Sequence, residues 1–132
     1  MKRLLSIALL SVTPALAGPF DQPYSIVEVD RMLSADSHLR KVIVNRVDDE
    51  NSVDNRSVIA PGAHKVTLDL PPRKGFHTAT QHTFELTTQA CMRYYVAARL
   101  ASPALQEWEP VVRYSEPIGE CRKKFNMASG TQ

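Results

Sequence analysis

Glycine is scarce in this 132-residue chain, at five residues, and no Gly-x-Ser-x-Gly, Ser-x-x-Lys or phosphate-cradling glycine loop occurs. Each of those motifs sets a nucleophile or a row of backbone N–H groups on a sharp turn, so the usual hydrolase elbow and phosphate cradle are missing. No apolar run approaches the roughly twenty residues that a membrane-spanning helix needs. Cysteine is limited to Cys91 and Cys121, far from the Cys-x-x-Cys spacing of a redox pair.

The longest apolar stretch, Leu4 to Val12, follows the basic start Met1-Lys2-Arg3 and precedes Pro14 and Ala15-Leu16-Ala17. Basic segment, short apolar core and A-x-A site in that order predict a signal peptide over residues 1–17, cleaved to release a periplasmic or secreted protein. No cysteine stands at the cleavage point to carry a lipid anchor. Cleavage removes Lys2 and Arg3, taking sixteen basic residues to fourteen against fourteen acidic ones. An excess of charge of one sign is then lacking, and apart from Arg122-Lys123-Lys124 the cations are interspersed with acids rather than clustered as nucleic-acid phosphates require. Nucleic acid is not an expected partner, and the mature chain is expected to have no transmembrane segment.

Removing residues 1–17 from 132 leaves 115, the size of one domain. In an exported chain an even cysteine pair predicts a structural Cys91–Cys121 disulfide closing a loop of about thirty residues. A single domain is expected over 18–121, with 122–132 as a flexible C-terminal tail that has little to bury.

What the mature chain does contain is short strand-like segments. Tyr24 to Val29 is rich in β-branched and aromatic residues, although Val29, Met32 and Leu33 also fit helical spacing. Residues 40–47 hold an unbroken apolar run suited to a strand covered on both faces, and 48–55 is an acidic exposed loop. Pro61-Gly62 predicts a turn. Val66, Leu68 and Leu70 then alternate with Lys65, Thr67 and Asp69 until Pro71-Pro72 ends the strand. Phe84 and Leu86 mark the next strand. From 91 to 100 the expected inner set is Met92, Tyr94, Val96, Ala98 and Leu100; from 107 to 115 it is Trp108, Val112 and Tyr114, with Pro110 pointing to an edge or a bulge. Six or seven such strands, regular turns and no amphipathic helix predict an all-β fold, a small antiparallel β-sandwich of immunoglobulin-like or prealbumin-like type.

The stretch Pro61-Gly62-Ala63-His64-Lys65-Val66, with Gly75-Phe76 and the Phe84/Leu86 strand after it, resembles the small β-sandwich modules of the PEGA type. The chain also resembles small exported bacterial β-sandwich proteins in which a PG-x-H-x-V strand is followed by RYYVAA and W-x-P-V strands. The resemblance spans roughly residues 58–114. It implies a fold and carries over no catalytic residue, and the two cysteines lie outside a PEGA pattern.

A hairpin whose paired residue numbers sum to about 206 would set Cys91 opposite Ser115, Arg93 opposite Arg113, Tyr95 opposite Val111 and Arg99 opposite Glu107. Two arginines face to face are unfavourable unless an anion lies between them, so Arg93, Tyr95 and Arg113 form a candidate anion- or partner-binding surface. The alternative is a solvated face whose arginines point apart. His38, His64, His77 and His82 lack metal-site spacing: His77 and His82 are five apart, neither a helical nor a same-face strand pair. The loop 48–55 lacks the glycine and closing glutamate of a calcium loop. No cofactor, metal or catalytic residue is therefore expected. Trp108, Tyr94 and Tyr114 read as core before they read as a ligand slot. The leading expectation is a non-enzymatic module that binds a protein or an envelope component. The alternatives are a small metal-dependent or hydrolytic enzyme, which would converge His64, His82 and Asp69 or Glu85, and a structural accessory subunit of an envelope complex.

Overall fold

Val66, Leu68 and Leu70 alternate with polar residues along one strand, and their burial shows where the core lies: all three are buried against Val27, Val29, Val44, Val47, Val96, Ala98, Leu100 and Trp108. The computed structural model describes residues 18–31, 36–72, 80–104 and 107–127. The proposed signal segment, 1–17, lies outside them. Among the described residues nine strands form two sheets that face each other across this core, a β-sandwich-like arrangement, and one short helix follows.

The four-stranded sheet has the order β4 (Glu50–Asn51), β3 (Ile43–Val47), β6 (Gly62–Leu70), β7 (Thr80–Thr88), all antiparallel. β6 begins at Gly62, whose φ of +131° is open to glycine and strained for a residue with a Cβ. Asn45 is the extra residue at a register shift between β3 and β6, which returns both Val44 and Val47 to the inner face.

The five-stranded sheet is built on β8 (Met92–Leu100). β9 (Trp108–Pro117) runs antiparallel along one side of it for its full length. The other side is shared end to end. β1 (Ser25–Val29) pairs with residues 93–96, β2 (Leu39–Arg40) pairs with 98–99, and β5 (Arg56–Ile59) closes the sheet on β1. β1 runs parallel to β8, so the sheet is mixed rather than antiparallel throughout. The run at 40–47 is two strands in different sheets, β2 and β3, with Val42 buried between them. These short pieces raise the strand number above the six or seven expected.

The chain after β9 also departs from expectation. Gly119–Lys124 forms a helix, α1, and Phe125 and Met127 pack with it, so the segment beyond Cys121 contributes to a core through Met127 instead of trailing from Arg122. That second core lies on the outer face of the five-stranded sheet, where Tyr24, Ile26, Cys91, Ile118 and Cys121 are buried together. The Cys91–Cys121 disulfide joins β8 to α1 with Cα atoms 5.3 Å apart. Backbone bonds hold the same corner, from Cys91 N–H to Tyr24 C=O at 2.6 Å and from Ile118 N–H to Cys91 C=O at 2.8 Å.

Candidate functional site

Odd-numbered residues of β8 face outward, so Arg93 and Tyr95 do share the outer face of the five-stranded sheet, next to the disulfide-bonded corner. Their partners are not those expected. β9 pairs with β8 three residues out of the expected register at this end: Arg93 lies opposite Glu116, Tyr94 opposite Ser115 and Tyr95 opposite Tyr114. At the other end Val96 faces Val112 and Arg99 faces Glu109. Arg113 is the extra residue where the register shifts.

That single bulge explains two differences. An extra residue inverts the in–out phase of everything beyond it, so Trp108 is buried in the main core while Tyr114 turns outward and is 44% exposed. Val112, on the inner side but at the sheet's edge, is 38% exposed. The bulge also removes the arginine–arginine rung. Arg93 is held between two carboxylates, with Nε 3.0 Å from Glu28 and Nη1 3.6 Å from Glu116, and Arg113 Nε stands 3.6 Å from the buried carboxylate of Asp30. Anion binding thus loses the electrostatic motive it had in the assumed register.

The outer face is organised in rungs. One rung crosses four strands as Arg56, Glu28, Tyr95 and Tyr114, and the next as Val58, Ile26, Arg93 and Glu116. The rings of Tyr95 and Tyr114 stack with centroids 4.3 Å apart and planes 22° from parallel. The Tyr95 hydroxyl donates to Glu116 Oε1 at 2.6 Å, which fixes the ring from its far end. Beside the stack, Tyr24, Ile26, Val58 and Ile118 line a groove of about 480 Å³, with Arg56 and Arg93 at its polar wall. The face thus offers an aromatic plane exposed at Tyr114, an apolar groove and an ion-pair network with two cations and three carboxylates, Arg93 and Arg113 against Glu28, Asp30 and Glu116, with Arg56 opposite Glu28 on the neighbouring strand. Glu28, Asp30, Glu116 and Arg56 are absent from the candidate set read from the sequence. The acids at every second position of Glu28-Val29-Asp30 were the available signal, since they assign one polar face to an otherwise apolar strand.

Burial, and after it the hydrogen bond to Glu116, push the Tyr95 hydroxyl above the ordinary phenol range, with Arg93 pulling the other way. Tyr114 is raised by desolvation and by the negative charges of Asp30, Glu116 and Glu28. A raised phenol pKa in the folded state favours the neutral ring, so its contribution is complete below about pH 10, the unfolded phenol value. It is lost as the pH rises through the folded value. Spectrophotometric titration at 295 nm is expected to show Tyr95 and Tyr114 ionising above the ordinary phenol range, and Glu116→Gln is expected to bring Tyr95 back toward it.

The remaining candidates are dispersed. His64 Nδ1 lies 2.8 Å from Asp48 and its Nε2 lies 2.6 Å from the Ala60 carbonyl. Asp48 also accepts from the Lys65 N–H, which with the His64 bond holds its carboxyl below the ordinary carboxylate value. The first acid of the loop 48–55 is thus a turn clamp. His82 packs edge-on against Trp108 at 4.5 Å, four rungs along β7 from the residue opposite His64. Asp69 accepts from Asn45 and Gln81 on the other side of the sheet, while Glu85 is opposite Lys65. The convergence of His64, His82 and a carboxylate needed for a hydrolytic centre is not assembled. Among the described residues no three histidine, cysteine or carboxylate side chains gather as a metal site, and no helix is long and apolar enough to cross a membrane. His38 bonds through its N–H to Asp36, and His77 lies outside the described residues. Tyr94 is buried, its hydroxyl accepting from the Gln89 N–H.

No protein-family model matches the chain, and neither a curated protein nor a solved structure is significantly similar to it.

Proposed function

We propose that this protein is a non-enzymatic binding module of the periplasm or the extracellular space, and that the outer face of its five-stranded sheet around Arg93, Tyr95 and Arg113 engages a protein or another envelope component. The observation that carries this reading is the stacked Tyr95–Tyr114 pair, half-buried at Tyr95 and exposed at Tyr114, with Tyr95 held by Glu116, which itself pairs with Arg93. Tyrosine and arginine are the residues that dominate protein-recognition surfaces, because they present large contact area with few rotatable bonds. Rings already ordered lose little entropy on binding. An ion-pair network in which both arginines already have carboxylate partners suits a polar macromolecular surface better than a free anion. Within the two-sheet class we favour the immunoglobulin-like or prealbumin-like arrangement, supported by the short strands around one sandwich core. The disulfide supports the compartment, since such bridges persist in oxidising surroundings.

A photo-crosslinking side chain in place of Tyr114 is expected to give one discrete adduct in envelope extracts, reduced several-fold by Tyr95→Ala. The same group at Lys65, on the opposite sheet, should give none. Equal adducts at both positions, or none at Tyr114, would remove this surface from consideration.

A further inference from the structure

β7 is nine residues long, pairs with β6 over its whole length without a register shift, and among the described residues pairs with no other strand. Along its outer side no strand among the described residues satisfies the backbone N–H and C=O groups, the usual template for another strand. The other edges are guarded. β9 carries Pro110, the Arg113 bulge and Pro117, β5 has four residues, and β4 has two. Proline cannot donate, a bulge twists the edge away, and very short strands offer few bonds. β7 has none of these devices. It contains neither proline nor lysine, and Glu85 is its one formal charge.

A second observation concerns the side of the sandwich on which β7 stands. β7 and β9 are cross-sheet neighbours there, joined at one end by the Trp108 Nε1–H bond to Thr80 Oγ1 at 2.6 Å. Further along, the inner-face residues Phe84 and Leu86 are only partly buried, and the inward Val112 is 38% exposed. The apolar layer between the sheets therefore opens to solvent along the same edge that has unpaired backbone.

We propose that β7 pairs antiparallel with β7 of a second copy of this chain, about a two-fold axis at Phe84, so that two four-stranded sheets become one eight-stranded sheet. The sequence of β7 is self-complementary in that register. All nine residues pair, inner with inner and outer with outer: Phe84 meets Phe84, His82 meets Leu86, Gln81 meets Thr87, Thr80 meets Thr88, and Thr83 meets Glu85. A shift to an axis at Glu85 would set two carboxylates opposite each other, which is destabilising. The axis at Phe84 gives each Glu85 a threonine hydroxyl instead. An isologous contact of this kind closes on itself and does not propagate into a fibre. It leaves the outer face of the five-stranded sheet free, so the dimer and the binding surface stand or fall separately.

Sedimentation equilibrium of the disulfide-closed protein across the micromolar range tests this. The wild type is expected to form a dimer. Thr83→Glu sets a like charge against the partner's Glu85 at two symmetric places and should weaken the dimer by about tenfold. Thr83→Lys sets an opposite charge there and should preserve or tighten it. Both variants lose the same Thr67–Thr83 hydroxyl contact, so their difference reports the facing charge. Adding Glu85→Lys to Thr83→Glu should restore the dimer. A wild type monomeric throughout the range, or Thr83→Glu and Thr83→Lys variants that associate equally, overturns the proposal.

Discussion

Opening the Cys91–Cys121 bridge by the paired substitution Cys91→Ala and Cys121→Ala is expected to lower stability by about 3–4 kcal/mol, the chain-entropy value for a closed loop of some thirty residues. The separation is 30 residues, and both half-cystines are fully buried in the second core. The loss should be uneven. α1 has six residues, too few to be helical in isolation, and it is held by the bridge and by Ile118, Phe125 and Met127 packing on Tyr24 and Ile26. Hydrogen exchange should therefore accelerate most in 118–127 and at the start of β1, while β6 and the middle of β8 stay protected. A urea midpoint that does not move on breaking the bridge would contradict this account, as would uniform loss of protection.

Leu68→Ala is expected to destabilise the protein by about 3–5 kcal/mol. Leu68 is completely buried between the sheets, so truncation loses transfer free energy and leaves a cavity that neighbouring β-branched side chains refill poorly. Ile43→Ala removes a side chain one residue from Val44, the cross-strand partner of Leu68, but on the outer face, where Ile43 is 41% exposed. Its cost should be under about 0.5 kcal/mol. Denaturant unfolding of the two variants checks which face of the four-stranded sheet is inside. Equal losses would mean that the assignment of faces is wrong.

Both experiments probe features whose visibility in the sequence differs. The alternation of Val66, Leu68 and Leu70 is a period of two, visible because each side chain's direction depends only on its own place in the strand. The end of that strand at Pro71 was legible for the same local reason. The bulge at Arg113 was not. No residue in Val111-Val112-Arg113-Tyr114 demands an extra position, and the bulge shows only in how β9 pairs with β8. An alternation read straight through it turns Tyr114 inward, and the arginine–arginine rung followed from the same missing residue. The parallel neighbour of β8 was equally hidden, because β1 lies more than sixty residues upstream and strand pairing over that distance leaves no periodic mark. With β1 came Glu28 and Asp30, the carboxylates that neutralise the candidate surface.

The sequence by itself determined the two-sheet β class, the positions of its longest strands, the main core on β6 and the Val96, Ala98 and Leu100 part of it on β8 but not the expected Met92 and Tyr94, and the cysteine pair that bridges. Those properties rest on side-chain period, turn chemistry and the parity of two cysteines. Tertiary structure alone decided which strands are neighbours, that one of them runs parallel, where the bulge falls, and that α1 covers a second core. It thereby decided that Arg93, Tyr95 and Arg113 meet Glu28, Glu116, Tyr114 and Asp30 rather than one another. The physical reason is that register and strand order are set by the whole chain minimising exposed apolar surface and unpaired backbone together, whereas local patterns constrain only one strand at a time.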